Sequence, residues 1–321
     1  MKIEEIKAEE LNTEEFIKEK VEEISKIAGN DFAITALSGG VDSSAVTMLG
    51  HRALGSKLKA CFVDNGLMRE NEPQNVVSLF TELGIDVELV DAKEEFFAAL
   101  KGITDPEEKR EAIVQTFYKK VFGRVVKESG SKCLLQGTIL TDIDETDAGI
   151  KRQHNVFEQI GIDPEEAFGY KIIEPLVQLR KDGVKKVAKA LGLPESIYNR
   201  MPFPGPALAT RVLGEASSWR IELIRQATAI TEEELKDTGA FQYMVILHQD
   251  KVTGVRDGKR AFGLQIEIRC WDSVDARTAI PTKLSSETED RLVNRVTTEI
   301  PDIVSVVFNK TPKPPSTMEA V

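Results

Sequence analysis

The stretch Ala33-Ile-Thr-Ala-Leu-Ser-Gly-Gly-Val-Asp-Ser-Ser-Ala-Val-Thr-Met-Leu49 constrains this chain more than any other. A short apolar run leads into Ser38, Gly39, Gly40, Val41, Asp42, Ser43 and Ser44, and the residues beyond carry apolar side chains at helical spacing. That order reads as strand, tight loop, helix. Glycines let a backbone approach a ligand, and the first turn of a helix leaves amide hydrogens without intrahelical acceptors. An anion therefore fits at this junction, helped by the helix dipole. Ser38, Ser43 and Ser44 add hydroxyl donors, whereas Asp42 does not favour a bare phosphate and is better explained by a metal ion or a helix cap. The Walker-type signature, Gly-Lys followed by Ser or Thr, is absent here. This is a phosphate loop of another kind.

SGGVDSS resembles the PP-loop of ATP pyrophosphatases, which split ATP between its α- and β-phosphates, adenylate a substrate oxygen and release pyrophosphate. The rest of the first two-thirds of the chain suits such a fold. A helix is expected through Phe16, Ile17, Val21, Ile24 and Ile27, ended by Gly29-Asn30. The helix after the loop should stop near Gly55, and Leu58 to Val63 reads as a buried strand followed by the loop Asp64-Asn-Gly-Leu-Met-Arg69. Loops at the carboxyl ends of strands are where open α/β sheets bind ligands, although Asp64 also suits an ordinary turn. A helix over Pro73 to Leu83, a strand over Val87 to Val90 and a helix over Lys93 to Leu100 follow.

Thr104-Asp105-Pro106-Glu-Glu starts a long helix expected to run towards Lys127, with Gly130 closing it. Leu134 to Thr138 reads as a strand entering a glycine turn, and Ile172 to Leu176 as another strand. Between them, Thr141 to about Tyr170 is rich in acids and glycine without sustained periodicity, so a long loop is expected. Its Lys151, Arg152 and His154 suggest a cover over a phosphate site, the alternative being a solvated insertion. Lys181 to Leu191 is an amphipathic helix, stopped by Gly192 and Pro194.

The alternation of strands and helices implies an α/β fold with a doubly wound parallel sheet. Pro202-Phe-Pro-Gly-Pro206 breaks it, which places the boundary between a first domain at 1–201 and a second at 202–321. The second is read as smaller and α+β: helices over Trp219 to Leu235 and Leu284 to Ile300, strands over Tyr243 to Leu247, Phe262 to Cys270 and Ile303 to Phe308.

At 321 residues there is room for about two domains. The net charge of −11, with Lys and Arg evenly scattered, argues against a general nucleic-acid binder. Cys61, Cys133 and Cys270 lie far apart and show neither a zinc pattern nor a disulfide framework. The acidic opening MKIEEIKAEELNTEE is unlike a leader, and no apolar run reaches the length of a membrane span. A reduced, soluble, cytoplasmic protein is expected.

Taken together, SGGVDSS, VDNGLMR, KGITDPEEKR, LLQGT, the Lys151–Val156 stretch, IIEPL with Lys181-Asp182, PFPGP with RVLGE, and KPPST resemble the ATP-pyrophosphatase subunits of the GMP synthetase family, from about Phe16 to Glu319. The resemblance implies adenylation of xanthosine 5′-monophosphate (XMP) at its 2-oxygen by Mg-ATP, then displacement of AMP by ammonia to give GMP. It implies that Ser38, Gly39, Gly40, Val41, Asp42, Ser43 and Ser44 hold the pyrophosphate end of ATP, that Val63 and Asp64 flank the adenosine, and that Gln136, Gly137 and Thr138 line the cleft. Asp42 and Asp142 become magnesium ligands, and Lys151, His154 and Lys181 stabilise the adenylation transition state. Arg110, Gln242, Lys313 and Glu319 match positions that bind the xanthosine nucleotide. A homodimer through the second domain is implied as well. None of the cysteines has the surroundings of a glutaminase nucleophile, so the ammonia would come from a separate glutamine amidotransferase subunit or from solution.

Departures from the family pattern cluster in the lid and the second domain: Gln153 for the first of two histidines, Ala207 for a glycine, Ala276-Arg277 before Thr278, Ser305 for a basic residue, and the Ala320-Val321 ending. Two further readings follow. One is a paralogue adenylating another carbonyl or carboxylate, the other a non-catalytic nucleotide-binding partner. The related tRNA-modifying pyrophosphatases fit less well, since this chain is acidic and has no paired cysteines.

Overall fold

The computed structural model describes residues 3–147, 170–274, 277–317 and 319. In chain order its main elements are α1 (Thr13–Ala28), β1 (Ala33–Leu37), α2 (Val41–Leu54), β2 (Leu58–Asp64), α3 (Glu72–Glu82), β3 (Val87–Asp91), α4 (Lys93–Leu100), α5 (Pro106–Gln115), α6 (Gly123–Ser129), β4 (Cys133–Leu135) and α7 (Leu140–Asp147). Then come β5 (Lys171–Ile173), α8 (Lys181–Ala190), α9 (Glu195–Tyr198), α10 (Ser218–Leu235), β6 (Gln242–Arg256), β7 (Lys259–Asp272), β8 (Ile280–Pro281), α11 (Ser286–Glu299) and β9 (Ile303–Phe308). The described residues divide into two compact units. One takes the chain up to Asp64 with Glu72–Asp91 and Phe117–Arg200, and the other takes Asn65–Asn71, Ala92–Thr116 and the chain from Met201.

The first unit is built on a five-stranded sheet of order β3-β2-β1-β4-β5, parallel throughout. Its central strand β1, Ala-Ile-Thr-Ala-Leu, is buried along nearly its whole length, as a strand covered on both faces must be. The chain winds outward from β1 through β2 to β3, then crosses back to add β4 and β5 on the other side. The order thus reverses between β1 and β4, which opens a crevice beyond their carboxyl ends.

Two expectations for the chain up to Asp147 are corrected. The single long helix from Pro106 towards Lys127 is interrupted: after α5 ends at Gln115, Thr116–Phe122 forms a π-helical stretch before α6 begins. The aromatic residues explain the wider turn, because Phe117 stacks on Phe122 five residues later, with centroids 5.5 Å apart and planes 8° from parallel. The start of the helix follows the sequence, since the Asp105 side chain accepts from the amides of Glu107 and Glu108. The second correction concerns the loop expected from Thr141, where Leu140–Asp147 is helical. Asp142 reaches back to accept from the Ile139 amide (3.0 Å), half of a capping box, and so starts a helix too short for periodicity to show. Positions 148–169 lie outside the described residues.

The second unit carries the sheet β6-β7-β8, with β9 parallel to β7. β6 and β7 are far longer than the two short strands expected, and Asp257-Gly258 joins them with φ of +48° and +72°. Positive φ at both central residues marks the hairpin turn that Asp-Gly favours. The outer half of this ribbon was masked in the sequence by its polar residues, Asp250, Lys251, Arg256, Lys259 and Arg260 among them.

Candidate functional site

The loop between β1 and α2 opens directly onto the crevice between β1 and β4. Gly40 takes the N-cap position with extended backbone, so the amides of Val41, Asp42 and Ser43 lie in the first turn of α2 and point into the loop. Hydroxyl groups brace it from within: Ser38 and Ser43 Oγ are 3.0 Å apart, the Ser38 amide donates to Ser43 Oγ, and the Gly40 amide donates to Ser38 Oγ. Gly39, at φ +76°, is a position where an L side chain is strained. Ser44 is fully buried, its backbone amide bonded to the Gly40 carbonyl.

Two carboxylates and an ammonium group face this turn. Lys181, the first residue of α8, places Nζ 2.6 Å from Asp42 Oδ2. Asp42 Oδ1 is buried and has no hydrogen-bond partner among the described residues, a lone pair aimed at no donor there. Burial is the main cause that pushes the Asp142 carboxyl above its ordinary range; the negative charges of Asp42 and Glu145 add to it, while the Ile139 amide and Lys181 oppose it. A half-buried acid raised partly by a neighbouring acid is one that a divalent cation would relieve. Hard carboxylate oxygens suit magnesium, which is commonly held by one or two carboxylates together with substrate phosphates. Among the described residues, no three His, Cys, Asp or Glu side chains converge on a cation site. The donor set fits a cation completed by a substrate.

The loop after β4 closes the other side. Built in place of its hydrogen, a Cβ on Gly137 would lie 3.1 Å from both the Asp42 carbonyl carbon and the Ser43 nitrogen. Glycine here lets the loop seat directly on the first turn of α2. Gln136 bonds to Tyr118, Thr138 Oγ1 donates to Glu174 just after β5, and the Gln136 amide donates to the Ile173 carbonyl. Val63 and Asp64 are the last two residues of β2, buried, with Asp64 paired to Asp91 of β3 rather than sitting in a turn. Lys151 and His154 lie outside the described residues, as do Arg152 and Gln153.

In the second unit the structure brings Gln242 and Glu319 together: Glu319 Oε1 accepts from Gln242 Nε2 (3.2 Å) and Arg211 Nη2 (3.4 Å). Arg269 Nη1 donates to the carbonyls of Thr317 and Glu319, while its Nε donates to Glu267, itself held by Asn309 and His248. The end of the described chain is thus pinned by a nearly buried guanidinium. Phe203 contacts two more, with Arg69 and Arg211 centred 4.2 and 4.8 Å from its ring. Lys313 pairs its backbone with Ala279, and Arg110 forms an ion pair with Glu107 one turn earlier (3.2 Å). Arg211, Arg269, Glu174 and Arg200 escaped the residue-level reading; Arg211, inside the RVLGE motif, and Glu174, inside IIEPL, had a signal that could have found them.

Comparison with known proteins adds the deciding observation. Residues 10–119 match the family model NAD synthase, and residues 228–320 match GMP synthase C terminal domain. Over 309 residues the chain is 47% identical to a subunit of the glutamine-hydrolyzing GMP synthase of Pyrococcus furiosus, covering 95% of this chain and 97% of that one. The subunit of the same name from Pyrococcus abyssi is 46% identical over 312 residues, with 96% and 99% covered.

The chain belongs to this family of GMP synthase subunits.

A further member, from Archaeoglobus fulgidus, is 45% identical over 309 residues, with 96% of this chain and 99% of that one covered. Similarity to the family thus spans both compact units. Among the described residues no helix is long and apolar enough to cross a membrane.

Proposed function

We propose that this chain is the synthetase subunit of a GMP synthase, an ATP-dependent ligase that adenylates XMP and aminates it to GMP. The observation that carries the reading is the loop Ser38–Ser44 at the reversal of strand order, with the Asp42–Lys181 pair beside it, in a chain of this family. The 2-oxygen of the xanthine base attacks the α-phosphorus of ATP, and pyrophosphate leaves. Ammonia then adds at C2, the C2–oxygen bond breaks, AMP departs with that oxygen, and a proton is lost to give GMP.

The amides of Val41, Asp42 and Ser43, with the hydroxyls of Ser38 and Ser43, receive the departing pyrophosphate, where charge grows as the bond breaks, while the fully buried Ser44 supports the turn through its amide. Lys181 adds a positive charge at the same turn and holds Asp42 in place. Asp42 and Asp142 would hold magnesium, which supplies charge neutralisation to the phosphates. Lys151 and His154 add charge from the cover segment, and Val63, Asp64, Gln136, Gly137 and Thr138 line the ATP cleft. Arg110, Gln242, Lys313 and Glu319, all in the second compact unit, bind the xanthosine nucleotide, joined by Arg211, whose guanidinium already contacts Glu319.

The ammonia comes from a separate glutamine amidotransferase subunit, in the cytoplasm. The cysteines support this division of labour: all three are buried, and burial raises each thiol, that of Cys61 to about 12. Such thiols are inert as nucleophiles. The second domain pairs two copies. Val255 and Phe262, diagonal neighbours on one face of the β6–β7 ribbon, are 73% and 63% exposed, while Val304 covers the glycines of the opposite face. Sedimentation should show a dimer that Phe262→Glu weakens; a wild-type monomer at micromolar concentration contradicts this assignment.

The reaction is tested by measuring pyrophosphate release from Mg-ATP in ammonium buffer, with and without XMP. Stimulation by XMP with GMP as product is expected. ATP binding without any response to XMP would reject the synthetase reading in favour of another acceptor.

A further inference from the structure

The phosphate loop is held from outside by a residue that no motif singles out. Arg200 donates through Nη1 to the Gly39 carbonyl (3.0 Å) and through Nη2 to Glu72 Oε1 (2.6 Å). Glu72 is 5% exposed and lies at the start of α3, so its carboxylate is a fixed anchor. The fit is tight, since a Cβ on Gly39 would fall 2.8 Å from Arg200 Nη1 and 3.2 Å from Glu72 Oε1.

The consequence follows from peptide geometry. In a planar trans peptide the carbonyl and the next amide point in opposite directions. Drawing the Gly39 carbonyl out to Arg200 therefore turns the Gly40 N–H inward, where it meets Ser38 Oγ at 3.3 Å. A flip of this peptide would present a carbonyl oxygen to the phosphates instead, and glycine at position 39 offers little resistance to flipping. Glu72 also neutralises Arg200, which leaves it suited to holding backbone rather than to binding phosphate itself.

We infer that Arg200 is a positioning residue for ATP: anchored by Glu72, it fixes the Gly39–Gly40 peptide so that the Gly40 amide faces the pyrophosphate. This rests on the reading of Ser38–Ser44 as the ATP loop, and not on the identity of the acceptor.

The test compares wild type, Arg200→Met, Arg200→Lys and Glu72→Gln by Mg-ATP binding in the absence of XMP, followed by displacement of a fluorescent ATP analogue. Loss of one charge-assisted hydrogen bond corresponds to about tenfold or more in affinity. Arg200→Met should weaken ATP by about that factor and leave the KM for XMP unchanged, and ethylguanidinium added to the buffer should restore part of the affinity. Arg200→Lys, which replaces the two-nitrogen fork with a single ammonium, should fall between, and it carries the test if the Met variant does not fold. Wild-type ATP affinity in Arg200→Lys and Arg200→Met, or a loss that ethylguanidinium does not recover in a variant with wild-type melting, overturns the inference. Because binding is read without XMP, failure of the synthetase reading would leave this result interpretable.

Discussion

Ala207 holds φ +54° while fully buried, a conformation that favours glycine. Three terms decide what glycine would do there. Relief of left-handed strain is worth about 1–2 kcal/mol. Loss of one buried methyl costs about 0.8 kcal/mol, and the looser unfolded chain costs about 0.4–1 kcal/mol. These nearly cancel, so Ala207→Gly should change unfolding free energy by less than about 1 kcal/mol, whereas the β-branched Ala207→Val should cost several, as urea titration would show. Alanine is tolerated here, and the turn stands. Lys109 is a second residue with a measurable signature. It is 1% exposed, donates to the carbonyls of Val212 and Ala209, and burial, with nearby Arg220 adding, lowers its pKa to about 8. The folded state then binds this proton less tightly than the unfolded chain, so stability through this group rises with pH from about 8 to the ordinary lysine value. The full gain is about 3 kcal/mol at most. Urea unfolding at pH 7, 8.5 and 10 should show this rise in wild type relative to Lys109→Met, which also cancels the general charge repulsion of an acidic chain.

Among the elements, α2 and the loop after β4 meet backbone to backbone at Gly137. Gly137→Ala would force a methyl to 3.1 Å from the backbone of Asp42 and Ser43, in the turn proposed to receive pyrophosphate. Strain of about 1–3 kcal/mol is expected where neither backbone yields easily. The KM for ATP should rise about tenfold and the melting temperature should fall by a few degrees; an unchanged KM would show that the loop has room to move. Elements with strong local chemistry were legible in the chain. β1, α2, β2, α4, α8, α10 and β9 lie within a residue or two of where period, capping and glycine place them. The misses have local causes too. A π-helical stretch has no signature until Phe117 is seen stacked on Phe122, an eight-residue helix shows no period, and the polar half of the β6–β7 ribbon hid its strands.

For the whole molecule, the parallel sheet with its reversed order was readable from the alternation of strands and helices, and family membership from motifs spread along the chain. Contacts distant in sequence were not. Arg200 reaches back to Gly39 and Glu72, Arg269 grips the end of the described chain, and the unit that begins at Met201 also takes in Asn65–Asn71 and Ala92–Thr116. No boundary drawn in chain order could include those segments. If the loop at the start of α2 serves adenylation of a substrate oxygen, the fate of that oxygen is the most direct test. With XMP carrying ¹⁸O at position 2, Mg-ATP and ammonium, mass spectrometry should find the label in AMP and pyrophosphate unlabelled. Label retained in the purine, or ADP and phosphate in place of AMP and pyrophosphate, would contradict that role.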